Sequence, residues 1–298
     1  MEIEKVILIG FNRSALLIEN YNHIRSFFDG PIQLFIDGPR KTSINDEKEQ
    51  QIIKDFFSSV EDPNLICHYS ELNRGCRQGV IHAISNGFKD SENAIIIEDD
   101  CFVSKTFFEV FQYFLNKKKK DLVVSSKCLF YSERELEYYL NDSIEVWGWG
   151  CTSDVWKKFQ RSKDEDLLNF WLKDYKGNFI LKWNNIQDLL SSRRIDTWDF
   201  PFKSFLFKEG IKTISFNKNL VNNKGFDSGT HRTSQNEIFW HQQSLSEETL
   251  KLNQKYIKNF EKIHIYNFRK CIKSVLGRLL YSLGYLRIGY RIISIKKI

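Results

Sequence analysis

The sequence predicts an α/β fold built on a Rossmann-like, mostly parallel central sheet flanked by helices. Three observations predict it. Unbroken apolar runs of strand length recur through the first 120 residues, helical stretches with one apolar face alternate with them, and polar or glycine-bearing turns close the runs.

The elements follow in order. Val6-Ile7-Leu8-Ile9 is a first strand closed by Gly10, and Ser14 is placed to cap a helix running through Tyr21 to Phe28. Pro31 opens a second strand, Ile32 to Ile36, which ends in the turn Asp37-Gly38-Pro39. A charged helix from Asp46 to Phe57 leads to a third strand at Leu65 to His68. Gly75 to Phe88 is helical, with Val80, Ile81, Ile84 and Phe88 on one face. Ala94-Ile95-Ile96-Ile97 has the continuous apolar character of a strand covered on both faces, and it runs into Glu98-Asp99-Asp100. Ser104 caps an amphipathic helix, Phe107 to Leu115.

Beyond Leu122 the alternation weakens. A strand at Leu122 to Ser125 precedes the Trp- and Gly-rich segment Val146 to Gly150. Helices are expected near Asp154 to Phe159, Asp164 to Tyr175 and Asn184 to Arg193, and from Asp196-Thr197-Trp198-Asp199 to Lys208. A late strand, Ile211 to Phe216, opens a glycine-bearing loop, Asn222 to His231. One domain over 1–261 is expected, with residues 1–120 as a ligand-binding half and 121–261 as a second half embedded in it.

Composition bounds the class. The 298 residues are 42% apolar and 28% charged, a globular balance that excludes wholesale disorder. The six cysteines have no CxxC pair or metal-ligand spacing, so free thiols are expected rather than disulfides or zinc. The segment from Met1 to Lys5 lacks the apolar stretch of a signal peptide, and a cytoplasmic protein is expected. Net charge is +6, yet nine Lys or Arg and no acid follow Glu261; removing those nine leaves about −3 for residues 1–261. The body is mildly acidic and the tail basic.

Three consecutive carboxylates after a buried strand repel one another and raise one another's pKa. A divalent cation resolves the conflict, because hard oxygen ligands suit Mg²⁺ and Mn²⁺, which also take phosphate oxygens. The competing reading is a solvated acidic turn at the start of the next helix. Gly10-Phe11-Asn12-Arg13 is not a GxGxxG fingerprint, and neither a GxxxxGK[ST] loop nor a GxSxG elbow is present. Strand ends in such sheets collect ligands, and Asp37 and the Glu98 cluster both stand there.

The order of motifs resembles the GT-A fold glycosyltransferases, in the branch containing N-acetylglucosaminyltransferase I and the bacterial family 2 sugar transferases. The matching pieces span most of the body. They are Phe11-Asn12-Arg13-Ser14, Phe35-Ile36-Asp37-Gly38, Asn73-Arg74-Gly75, Ile97-Glu98-Asp99-Asp100 with Phe107-Phe108, Trp147-Gly148-Trp149, Asp196-Thr197-Trp198-Asp199, and Gly225-Phe226 before Thr230-His231. The resemblance implies a metal-dependent, inverting transferase that uses a nucleotide diphosphate sugar, UDP-linked by preference, with Mn²⁺ or Mg²⁺ as cofactor. It implies Arg13 and Asp37 at the base and ribose, Arg74 at the diphosphate or ribose, and Asp99 at the donor ribose or sugar. Asp100 is implied as metal ligand with Glu98 in support, and His231 as a second ligand or a phosphate partner.

Asp199, ahead of Asp196, is implied as the base that deprotonates the acceptor hydroxyl. The two stand three apart at a helix start, where both can face one cleft, although Asp196 also suits a helix cap. Phe200-Pro201-Phe202 departs from the bacterial pattern. Trp147, Trp149 and Trp198 are candidates for sugar stacking, with core packing as the commoner fate. A catalytically inactive binding or peripheral membrane protein is the rival class; a nucleotidyltransferase would need a glycine- and lysine-rich loop that is missing here.

The tail, 262–298, interleaves Leu and Ile with Lys and Arg. It is too charged to span a bilayer. A basic amphipathic helix on anionic lipid suits it, in keeping with a glycan or lipid-linked acceptor; packing on the body is the alternative, and an acidic body disfavours nucleic acid.

Overall fold

The computed structural model describes residues 1–128 and 136–225, together with the backbone of strand Gln254–Tyr256. In chain order the first elements are β1 (Val6–Gly10), α1 (Ser14–Arg25), β2 (Ile32–Ile36), α2 (Ile44–Ser58), β3 (Leu65–Tyr69), α3 (Gly75–Gly87), β4 (Asn93–Glu98), β5 (Cys101–Val103) and α4 (Lys105–Lys117). Then come β6 (Val123–Ser125), β7 (Tyr138–Asn141), β8 (Trp149–Thr152), α5 (Ser153–Arg161), α6 (Asp164–Asn169), α7 (Phe179–Ser192), α8 (Asp199–Lys208), β9 (Thr213–Phe216), β10 (Val221–Asn223) and β11 (Gln254–Tyr256).

Nine of these strands form one sheet in the order β11-β7-β9-β6-β8-β4-β1-β2-β3. The run β4-β1-β2-β3 is parallel throughout, whereas β8 is antiparallel to both β4 and β6. In register, Ile9 faces Phe35 on one side and Glu98 on the other. The carboxyl ends of β1, β2 and β4 are therefore level, and the loops that follow them open on one crevice. β10 pairs antiparallel with β5 in a separate two-stranded ribbon.

The sheet is covered on both faces, which is why β4 reads as an unbroken apolar run. Val6, Leu8, Leu34, Ile95 and Ile97 pack against α1, α2 and α4, with Phe107, Phe111 and Phe114 of α4 supplying the bulk. Ile7, Ile9, Ile96 and Trp149 face α3 and α5 to α8, where Trp156, Phe202 and Phe205 are buried. Each such Phe contributes about 2–3 kcal/mol through its burial.

Several local expectations change. Ser14 is the first residue of α1 rather than its cap: its N–H and Oγ donate to Glu49 Oε2 at 3.0 and 2.6 Å, so α2 supplies the carboxylate for that helix terminus. α1 ends at Arg25, short of Phe28. The helix expected from Asp164 to Tyr175 loosens after Asn169 into a π-turn, Phe170–Asp174, where Tyr175 N–H reaches Phe170 C=O at 2.9 Å. α7 starts earlier than expected because Asn178 Oδ1 accepts from the N–H groups of Ile180 and Leu181. The strands β5, β7, β8 and β10 are three or four residues long, too short to leave a period in the sequence. The five described cysteines are free, and Cys76 is exposed rather than buried. No helix among the described residues is long and apolar enough to cross a membrane. The tail 262–298 lies outside the described residues.

Candidate functional site

A cavity of about 700 Å³ opens at the carboxyl ends of the four parallel strands. The loop after β1 gives it Phe11, Asn12 and Arg13, the loop after β2 gives Asp37 and Arg40, and β3 with its loop gives Tyr69, Asn73 and Arg74. Glu98, Asp99, Ile195 and Asp196 complete the lining.

Asp37 lines this space while also supporting it. Its carboxylate accepts from Arg74 N–H at 2.9 Å and Gly75 N–H at 3.1 Å, which satisfies two orphan amides at the start of α3. Burial pushes the Asp37 carboxyl up, and these amides oppose the rise. The Arg74 guanidinium binds Ser70 Oγ and lies 3.9 Å from Asp37 Oδ1, on the cavity wall. On the other side Asp196 Oδ1 accepts from Arg77 N–H at 3.1 Å. Both carboxylates thus serve one helix terminus. Gly75 makes this possible: its φ is +76°, and a Cβ there would collide with Asp196 Oδ2.

The acidic run begins at the last residue of β4, as expected, and Arg13 lines the same cavity as Asp37 while turning its guanidinium into that run. It forks across the acidic run: Nε reaches Asp99 Oδ2 at 3.2 Å, one terminal nitrogen also binds Asp99, and the other reaches Asp100 Oδ2 at 2.6 Å. Arg13 is held there because Asp99 and Asp100 are buried and need a counter-charge. Burial works against the Arg13 charge, and the two carboxylates outweigh it and hold the guanidinium above its usual range. Desolvation, reinforced by Asp100 and Asp99, pushes Glu98 up to about 8; desolvation also lifts Asp99 to about 6 against the pull of Arg13. Partial desolvation at the wall, then Glu98, Asp196 and Asp199, push the Cys76 thiol up to about 12.

Asp196 and Asp199 do not share a helix face. α8 begins at Asp199, and Asp196 precedes it, exposed on the cavity wall and capping α3 instead of α8. Asp199 is half-buried, accepts from Thr197 Oγ1, and has Lys203 Nζ 3.2 Å away; Lys203 in turn lies 3.7 Å from Glu145. Trp149 and Trp198 stack on each other inside the core, at 0% and 3% exposure, so neither meets a sugar. Trp147 is only partly buried, with Lys127 Nζ 4.4 Å above its ring. His231 lies outside the described residues.

Two supporting residues, Asp46 and Asn20, escaped the sequence reading as parts of the site, and Gly225 of the Gly225-Phe226 piece has a role there. Asp46, fully buried at the start of α2, accepts from Arg40 Nε, Arg40 Nη2 and Asn12 Nδ2 at 2.7–2.8 Å, and so fixes two cavity-lining side chains. Asn20, buried in α1, donates through Nδ2 to the carbonyls of Glu98 and Cys101 at 3.0 and 3.1 Å; its Oδ1 has no partner. Gly225 passes so close to Asp100 that a Cβ would collide with Oδ2, and Lys224 N–H ties this stretch to Asp100 C=O at 2.9 Å. A polar residue inside an amphipathic helix, as with Asn20, was the one signal available.

The chemistry of the acidic run fits a divalent cation. Three carboxylates meet one protein cation at this strand end, and Asp100 and Asp99 add to the burial that lifts Glu98. Among the described residues no group of three or more His, Cys, Asp or Glu is arranged to hold a metal, so Asp100 and its neighbours would need phosphate oxygens to complete a coordination shell.

No family model and no curated protein matches the chain. Similar solved structures include a mannosyltransferase, PcManGT from Pyrobaculum calidifontis, in complex with GDP-Man and Mn²⁺, at 10% identity and TM-score 0.42, covering 70% of this chain and 69% of that one. GalNAc-T7 with UDP, GalNAc and Mn²⁺ gives 10% identity and TM-score 0.47, covering 74% of this chain; the match spans only 43% of the GalNAc-T7 chain. UDP-glucose pyrophosphorylase complexed with UDP-glucose gives 10% and 0.40, covering 72% and 90%. At that distance the likeness assigns no activity, and the geometry of the cavity has to carry the functional conclusion.

Proposed function

We propose that this chain is a GT-A fold glycosyltransferase that takes a nucleotide diphosphate sugar, UDP-linked by preference, and transfers the sugar with inversion to a glycan or lipid-linked acceptor. The observation that carries the reading is the cavity at the ends of β1 to β4, which joins a ring- and amide-rich wall to an acidic strand end. Phe11, Tyr69 and Asn73 supply faces and polar groups for a nucleoside, Arg74 a cation for a phosphate, and Glu98 and Asp99 acceptors for ribose or sugar hydroxyls. Asp100 would hold Mn²⁺ or Mg²⁺, which when bound stabilises the departing diphosphate.

Asp196 is committed to the terminus of α3, which leaves Asp199 as the carboxylate to accept the acceptor's proton, with Lys203 holding its position. A lipid-facing role for the tail 262–298 belongs to the same reading. It suits a peripheral enzyme on the inner face of a bacterial membrane that builds a surface glycan.

The test is a hydrolysis screen of nucleotide sugars with and without Mn²⁺, paired with calorimetry of UDP. Metal-dependent turnover of one donor, lost in Asp100→Ala with the fold intact, supports the reading. Absence of any nucleotide binding in the presence of Mn²⁺ overturns it. Co-sedimentation with anionic vesicles that persists after deletion of 262–298 rejects the tail as the anchor.

A further inference from the structure

Arg13 has a place that its motif position does not explain. It follows β1 at the edge of the donor cavity, yet its guanidinium turns into the acidic run and takes both Asp99 oxygens and one oxygen of Asp100. Asp100 Oδ2 is an oxygen that the cation of the reading above would use. Among the described residues Asp99 and Asp100 are the only partners of the side chain, and Arg13 keeps 24% of its side-chain surface exposed. One side of the fork is closed by Gly225, where a Cβ would stand 3.0 Å from the nearer terminal nitrogen. The other side opens on the cavity. A guanidinium does not shed its charge, so seating it and a divalent cation together on Asp100 Oδ2 sets two cations against each other at close range. A diphosphate in the cavity offers the guanidinium an equivalent bidentate partner.

We propose that Arg13 is a displaceable counter-ion, seated on Asp99 and Asp100 in the free protein and transferred to the nucleoside diphosphate when a divalent cation takes its place. This rests on the metal-dependent donor reading above. Metal and nucleotide then bind cooperatively, because each removes a cost the other would face alone. Coupling is reciprocal: the factor by which nucleotide tightens the metal equals that by which the metal tightens nucleotide.

Titration of Mn²⁺ by calorimetry and by electron paramagnetic resonance, with and without UDP, reads this without any turnover. Wild-type protein should bind Mn²⁺ at least roughly tenfold more tightly in the presence of UDP, within the range of ordinary coupling energies. Arg13→Met should bind Mn²⁺ alone more tightly than wild type, by roughly tenfold, and its coupling factor should shrink toward one. Arg13→Lys keeps the charge but reaches one carboxylate at a time, and should fall between the two; it decides the question by the same comparison if Arg13→Met fails to fold. Should either folded variant bind Mn²⁺ alone no better than wild type, while wild type still takes Mn²⁺ with UDP, the counter-ion role is wrong and the donor reading stands. Should folded wild type take no Mn²⁺ in either condition, the metal reading falls and the counter-ion role with it.

Discussion

Asp46→Asn tests how the cavity rim is held. The carboxylate is fully buried and receives two bonds from the Arg40 guanidinium, one from Arg40 N–H at 3.1 Å, and one from Asn12 Nδ2. The amide variant removes the charge and turns N–H groups toward donors. The Asn12 bond, between a buried carboxylate and an amide, contributes about 1.5 kcal/mol. The Arg40 pair contributes only about 1 kcal/mol, because that arginine is 57% exposed and solvent screens it. The variant should therefore lose about 2–3 kcal/mol at pH 7, or roughly 3–5 °C in Tm. The sign with pH follows from the direction of the shift. Hydrogen bonding to Arg40 outweighs burial and holds the Asp46 carboxyl well below the usual carboxylate range.

Its stabilisation is fully present above the unfolded value of about 3.9 and is lost as pH falls through the lower, folded value. Unfolding free energies of wild type and variant, from urea melts, should thus draw closer by about 1 kcal/mol between pH 7 and pH 3, since the unfolded wild type takes up a proton there that the folded form refuses. Nucleotide affinity should fall too, by roughly three- to tenfold, because Asn12 and Arg40 lose their anchor. A stability gap below 0.5 kcal/mol at pH 7, or one that stays constant to pH 3, would refute the network (about the limit of such measurements).

Asn20→Leu leaves the carbonyls of Glu98 and Cys101 without their buried donor, at about 2–6 kcal/mol, and relieves the orphan Oδ1 of about 1–3; a net loss of about 1–3 kcal/mol by chemical denaturation is expected, with metal affinity reduced because the acidic turn loosens, and unchanged stability would show that Asn20 does not hold it. Gly75→Ala should lose about 1–2 kcal/mol from the positive φ alone, more from the clash with Asp196, and thermal melts that match wild type would refute the assignment. In steady-state kinetics Asp199→Asn should lower kcat about 10²–10⁴-fold with little change in KM for the donor, whereas Asp196→Asn should act chiefly on stability; the reverse pattern transfers the base to Asp196.

What the sequence made legible follows from how strongly each feature is over-determined. The strand ends at Gly10, Ile36 and Glu98 are marked by apolar runs whose only physical outlet is a covered sheet, so the crevice above them was readable. Ser104 was readable as a cap because its oxygen has a single local task, accepting from Phe107 N–H. Asp46 was not, since an acid in the first turn of a charged helix looks the same whether it is solvated or buried under Arg40 and Asn12. Arg13 shows the sharper limit. Position after a strand placed it at the site, but whether a guanidinium there meets a phosphate or a carboxylate depends on a neighbour 86 residues away. The short strands β5 and β10 lay beyond reach for a different reason. Three residues carry no period, and their pairing is fixed by the long connection that returns Val221 to Val103.

The backbone accounting at α3 constrains how the cavity can treat a diphosphate. A helix N-terminus at a strand end is an obvious anion site, with its amides and partial positive charge directed at the ligand. Here Asp37 takes the amides of Arg74 and Gly75, and Asp196 takes that of Arg77, one carboxylate from each half of the chain. The protein has already spent that terminus on itself. Negative charge entering the cavity must be met by side chains or by a cation, and Arg74 and Arg13 are the guanidinium groups on its wall beside Arg40, which is bound to Asp46. With Arg13 committed to Asp99 and Asp100, Arg74 is left as the first cation a phosphate would meet, and on the counter-ion role proposed above a metal enters the acidic turn as Arg13 leaves it.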